Sequence, residues 1–148
     1  MDAIQLLKQD HDKARQMFAQ ILEAEPEQRA GLWNQLKPEL ELHEQLEEAA
    51  LYGPVAQSAQ DDRLAAYESH HREEVAEAET LIEEITRLKA TDDEWLDKVE
   101  ELQETLEHHI EDEEGEIWPR IQQTWDRAKL AEAGRTIEAM KREKTKAA

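Results

Sequence analysis

Histidine and glutamate recur in this chain at spacings that one face of a helix would gather. His43 is followed four residues later by Glu47, His109 by Glu113, and the pair His70-His71 by Glu74, while His11 stands near the N-terminus. Neutral imidazole nitrogens with carboxylate oxygens make a ligand set suited to iron, manganese or zinc. Residues four apart on a helix point the same way, about one turn apart. Each His/Glu pair can therefore offer one terminal nitrogen and one bridging carboxylate. There is no cysteine, which excludes disulfides, thiolate metal sites and thiol catalysis. Seven protein ligands are too many for one tetrahedral zinc. They suit two ions bridged by carboxylates, an arrangement found in the cores of helix bundles.

A lone histidine on an apolar face is usually a core residue with a hydrogen bond. A lone buried glutamate is rarer, because an ionised carboxylate in a dry core must be paired or neutralised. Four such histidines and three such glutamates in one small core are hard to satisfy among themselves. A bound metal removes the difficulty.

The elements that would position them are helical. Aromatics, glycine and proline are few, and Glu, Ala, Leu, Gln and Lys are good helix formers. Apolar residues never alternate as in a strand, so the expected class is all-α. Helix signals run from about 2 to 23, from 27 to 52, from 61 to 89 and from 91 to 118, with a last amphipathic stretch from about 122 to 144. Pro38 predicts a kink or break in the second helix, Gly53-Pro54 its end, and Pro119 the end of the fourth. Thr91 and Glu94 read as a capping box. Short turns between long helices argue an up-down-up-down four-helix bundle over residues 1–119, with a short C-terminal helical extension, basic in character, over 120–148.

A 3-4 spacing traces one seam per helix. The seams are Ile4, Leu7, His11, Ala14, Phe18, Ile21; then Leu36, Leu40, His43, Glu47, Ala50; then Leu64, Tyr67, His71, Glu74, Ala78, Leu81, Ile85, Leu88; then Trp95, Val99, Leu102, Leu106, His109, Glu113, Ile117. Each is apolar except at one level, where each carries a histidine and three carry a glutamate. The segment 107–116 holds six carboxylates and two histidines, and of the acids only Glu113 is in phase with His109 and the seam. Its other acids are expected to be solvated. Asp10 and Asp12 could orient imidazoles or cap the surface, and Tyr67 is either a core aromatic or a donor to a metal-bound ligand.

The formal charge is −19, with 10 basic against 33 acidic residues over 1–119 and 8 against 4 over 120–148. An acidic body repels nucleic acid and anionic membrane and attracts cations. Neither a signal peptide nor an apolar run long enough to span a bilayer is found. A cytoplasmic protein that contacts neither nucleic acid nor membrane is expected, its oligomeric state open.

The segments DHD around His11, HEQLEEAALYGP at 43–54, AYESHHREE at 66–74 and LEHHIEDEEGEIWP at 106–119 together resemble the hemerythrin-like, HHE cation-binding domain family. The resemblance implies a four-helix bundle with a non-haem di-iron, Fe-O-Fe type centre that binds oxygen, handles peroxide or nitric oxide, or senses iron and oxygen. Manganese and zinc are also compatible with the ligand types. Carried over by position, His11 is the first-helix ligand, His43 and Glu47 the second-helix pair, and His109 and Glu113 the fourth-helix pair. On the third helix either His70 or His71 pairs with Glu74, and the seam phase favours His71. Oxygen-carrying hemerythrins have HxxxH on that helix and HxxxxD on the fourth. The more carboxylate-rich set here favours the oxidised metal, and so reactivity or sensing over reversible oxygen carriage. The alternative is a non-redox cation-binding or protein-interaction bundle in which metal is structural or stored, with the basic tail docking an acidic partner or folding back on the acidic body.

Overall fold

The computed structural model describes residues 1–58 and 61–147, and among these every regular element is helical. Helix α1 is Ala3–Glu23, α2 Arg29–Glu47, α3 Gly53–Ser58, α4 Asp62–Arg87, α5 Asp93–Asp112, α6 Trp118–Thr124 and α7 Arg127–Ala147. A 3-10 turn, Pro26–Gln28, precedes α2. Asp2 and Gln5 form a reciprocal capping box at the start of α1, each side chain taking the other's backbone N–H at 3.0 Å. Asp61 caps α4 through the N–H groups of Arg63 and Leu64. The expected box at Thr91 does not form. The cap of α5 falls one residue later, at Asp92, with no side-chain bond.

Proline does not break or end the helices as the sequence reading expects. Helix α2 runs unbroken through Pro38. At Gly53-Pro54 and at Pro119 the chain does not stop. It widens into a π turn, Glu48–Tyr52 before α3 and Glu113–Ile117 before α6. The N–H of Gly53 reaches back five residues to the Glu48 carbonyl, and that of Trp118 to the Glu113 carbonyl. A proline has no N–H for the carbonyl four residues back, and its ring crowds that carbonyl. One wider turn absorbs the misfit and lets the helix go on. Gly53 is held to glycine by this turn, because a Cβ there would lie 2.8 Å from the Glu48 carbonyl oxygen.

The core has two apolar clusters. One joins Ile4 and Leu7 of α1 to Leu51, Leu64, Ile117 and Trp118, and to Leu130 and Ile137 of α7. The other joins Phe18 and Ile21 to Leu36, Leu40, Ile85, Trp95 and Leu102. Helix α7 lies along α1, where Lys141 binds Asp10 at 2.7 Å. Each long seam crosses from one cluster to the other through its histidine: Leu7 to Phe18 past His11, and Leu102 to Ile117 past His109. The polar level is a layer sandwiched between two dry ones.

The two π turns give glycine substitutions of opposite sign. Gly53→Ala must move backbone and should cost about 1–3 kcal/mol. Gly115→Ala, in the second π turn with nothing within 4 Å of its added Cβ, should stabilise by about 0.5–1 kcal/mol through lost chain freedom. Urea unfolding of the two variants checks the contrast, and equal effects would contradict it.

Candidate metal centre

Five polar side chains are buried at the central level: His11, Glu47, His71, His109 and Glu113. His43 joins them at 15% exposure. Among the described residues the donors sort into two groups, His11, His43, Glu47 and Glu113, and then Glu47, His71, His109 and Glu113, with the ligand atoms of each within 4.8 Å of one another. Both glutamates belong to both groups. Each group therefore has two histidines of its own and two shared carboxylates.

All four rings turn Nε2 inward. His43 Nε2 lies 3.1 Å from Glu47 Oε2, and His71 Nε2 lies 3.2 Å from Glu47 Oε1. His11 and His109 place Nε2 at 3.3 and 3.1 Å from Glu113 Oε1. The Nε2 atoms of His11 and His43 are 3.1 Å apart. Opposite edges of three rings are held by carboxylates from outside the layer: His11 Nδ1 by Glu114 at 2.6 Å, His43 Nδ1 by Asp10 at 3.3 Å, and His109 Nδ1 by Glu74 at 3.2 Å. Such outer carboxylates fix the tautomer and ring orientation that a metal-ligating histidine needs. Lys141 of α7 completes one of these chains by holding Asp10.

Aromatic side chains wall the layer. His11 stacks on Trp118, 4.9 Å apart and 9° from parallel. Tyr52 lies against His71 at 4.4 Å, donates its O–H to Glu113 Oε2 and accepts from Trp118 Nε1 at 2.9 Å. Burial and the Glu113 charge push the Tyr52 phenol well above its usual range, so it keeps its proton. Tyr52 and Trp118 each stand five residues past a shared glutamate, at the ends of the two π turns. That repeated spacing is the signal in the sequence that marks Tyr52, whereas the prolines beside it point only to helix ends.

The candidates thus separate. His11, His43, Glu47, His71, His109 and Glu113 converge. Glu74 reaches the outer edge of His109 instead. His70 is half exposed, bonds Glu74 at 3.0 Å, and with Glu74 and Asp112 forms a separate cluster between α4 and α5. His108 is exposed beside Asp112. Asp10 orients His43, whereas Asp12 only pairs with Arg15. Glu114, expected in solvent, holds His11. The Tyr67 hydroxyl is buried with no partner.

A cation suits this arrangement. Imidazole nitrogens lie 3.1 Å from Glu47 Oε2 and from Glu113 Oε1, yet neither buried oxygen accepts a well-aligned hydrogen bond, a costly state for carboxylate oxygens. Without a metal, the imidazoles serve as the counter-charges. Burial opposes the charging of His43, yet the Glu47 charge and hydrogen bonds to Asp10 and Glu47 raise it to about 10. Burial likewise opposes His109, and Glu113, Glu47 and Glu74 raise it well above the usual range. Burial pushes Glu47 up, but the His43 charge and the close approach of His109 and His43 hold it well below.

A family model described as the hemerythrin HHE cation binding domain matches residues 2–121. Among solved structures, a hemerythrin HHE cation binding domain-containing protein from Mycobacterium kansasii is similar, with a TM-score of 0.76 and 25% identity over 96% of this chain and 86% of that one. No curated protein sequence matches the chain.

The upward shifts of His43 and His109 favour the protonated imidazole in the metal-free protein, and a metal takes only the neutral form. Metal binding should therefore release protons near pH 7 and weaken as the pH falls. Titration calorimetry in buffers of different ionisation enthalpy reads this release, and a buffer-independent heat would contradict it. In the metal-free protein the His43 contribution to stability is full below about 6.5 and is lost as pH rises through about 10.

Proposed function

The chain belongs to the hemerythrin HHE cation binding domain family, and we propose that it is a non-haem di-iron protein that binds, reduces or senses oxygen, peroxide or nitric oxide. The observation that carries the reading is the pair of four-donor groups sharing Glu47 and Glu113. His11 and His43 would serve one ion, His71 and His109 the other, and the two glutamates would bridge. Helices α1, α2, α4 and α5 would act as an up-down-up-down bundle around them, in the cytoplasm. Manganese or zinc could occupy the same donors, but only a redox metal gives the proposed reactivity.

When bound, an iron pair supplies electrons and an open position for a small ligand. The chain's own residues prepare that position. Outer carboxylates Glu114, Asp10 and Glu74 hold three rings in the tautomer that leaves Nε2 free to ligate. Tyr52 pins Glu113 Oε2 and leaves Oε1 facing His11 and His109. The Tyr67 hydroxyl, buried, unpartnered and beside Tyr52 and His71, is a proton donor available to a small ligand. The apolar clusters on both sides exclude bulk water and larger substrates.

Protein grown with iron, manganese and zinc all available should carry two irons per chain and a near-ultraviolet oxo-bridge absorption that bleaches with reductant. His109→Ala should lose at least one ion per chain while keeping its helicity. A colourless protein whose metal serves only to hold the fold would favour the structural or storage alternative. Metal content by mass spectrometry with absorption on the same sample decides between them.

A further inference from the structure

Helices α2 and α4 make few contacts with each other, and a groove of about 720 Å³ opens between them. Its walls carry Glu41, Glu44 and Glu48 from one side and Glu79 and Glu83 from the other. Its two cations, Lys37 and Arg87, lean on carboxylates of their own helices. Glu44 and Glu48 also line a second cavity, of about 280 Å³, together with His71, Arg72 and Val75. Glu44 further lines a small cavity of about 40 Å³ that includes Glu47, His43 and His109. Glu44 thus borders all three spaces, and burial with the neighbouring Glu79 and Glu47 charges pushes its carboxyl up to about 8.

His71 is the exception among the four central histidines. The other three have Nδ1 held by a carboxylate. His71 is 1% exposed, yet its Nδ1 has no hydrogen-bond partner, and neither has the buried Oε2 of Glu48, 3.9 Å away. Its other nitrogen already faces Glu47 Oε1 at 3.2 Å. The gap between Nδ1 and Oε2 is too long for a hydrogen bond, and both residues line the second cavity. Glu48 Oε1 is occupied from outside by the exposed Arg72, at 3.5 Å, which also pairs with Glu68.

We propose that divalent cations enter the centre through this acid-lined groove, with Glu48 Oε2 and the outer nitrogen of His71 as the last stop. The proposal rests on the metal-centre reading above. Carboxylates lining a cleft with low-dielectric walls raise the local cation concentration and the rate of capture. Arg72 is a positive charge at the throat and opposes entry until it swings away. The His70, Glu74 and Asp112 cluster between α4 and α5 is the competing entrance. There His70 Nε2 already pairs with Glu74, Glu74 also holds His109, and Asp112 pairs with His108.

The test is stopped-flow uptake of Co(II) by the metal-free full-length protein, followed by its visible absorption, with final stoichiometry and chelator-driven release on the same samples. Glu48→Gln should slow uptake about tenfold, slow release in parallel and reach the same final stoichiometry, whereas Arg72→Gln should speed uptake. Both positions are on the surface side of the throat, and circular dichroism confirms folding. Glu48→Gln loading at the wild-type rate overturns the route. So does a change in release alone, which is what a purely supporting role for His71 would give. Slower uptake in His70→Ala or Asp112→Asn instead would move the entrance to the other cluster and overturn it as well. A wild type that takes up no cobalt overturns the metal-centre reading itself.

Discussion

Two carboxylates buried where water cannot reach them constrain everything else in this protein. Glu47 and Glu113 are 1% and 0% exposed. A carboxylate in such a place must find positive charge and hydrogen-bond donors, or else give up its own charge. The chain answers by bringing one imidazole from each of α1, α2, α4 and α5 to the same level. It then encloses the layer between two apolar clusters, so that no polar seam leaks along the helices. Electrostatic cost and core packing are thus one problem: the polar layer is affordable only because the layers above and below are dry and close-packed.

Orientation comes from two devices that repeat. Glu47 stands just before one π turn and Glu113 opens the other; Tyr52 ends the first, Trp118 follows the second, and a proline comes one or two residues later. The two aromatics bond each other, and one of them bonds Glu113. The wide turns therefore link the backbone irregularity directly to carboxylate position. Carboxylates outside the layer, Glu114, Asp10 and Glu74, then fix the imidazole edges. Asp10 is itself tied by Lys141, so α7 reaches the centre through two ion pairs without contributing to it. His71 lacks such an anchor, and it is the ring that borders the cavity between α2 and α4.

The all-α class and the seams were legible because a 3.6-residue period leaves a strong trace when both apolar clusters lie on one stripe per helix. The level of the site was legible for the same reason: polar residues interrupt the stripe only there. Phase alone could not separate the roles of Glu74 and Glu113. Both stand on a seam, but a glutamate is long enough to reach sideways, and Glu74 meets the far edge of His109. Glu114 was hidden for the opposite reason, since it lies off the seam and bends in to His11. Proline signals were read as helix ends because a missing N–H is usually fatal to a regular turn. A turn of five tolerates it, and nothing local in the sequence distinguishes the two outcomes. Tyr52 is hidden with them, because it sits in the turn where the proline predicts a terminus.

The central claim is that Glu47 and Glu113 are shared between two metal positions. X-ray absorption at the iron edge, on iron-loaded protein, tests it most directly. The account predicts nitrogen and oxygen ligands and an iron–iron vector shorter than about 4 Å. A spectrum fitted by isolated iron, with no metal–metal vector at full loading, would contradict it.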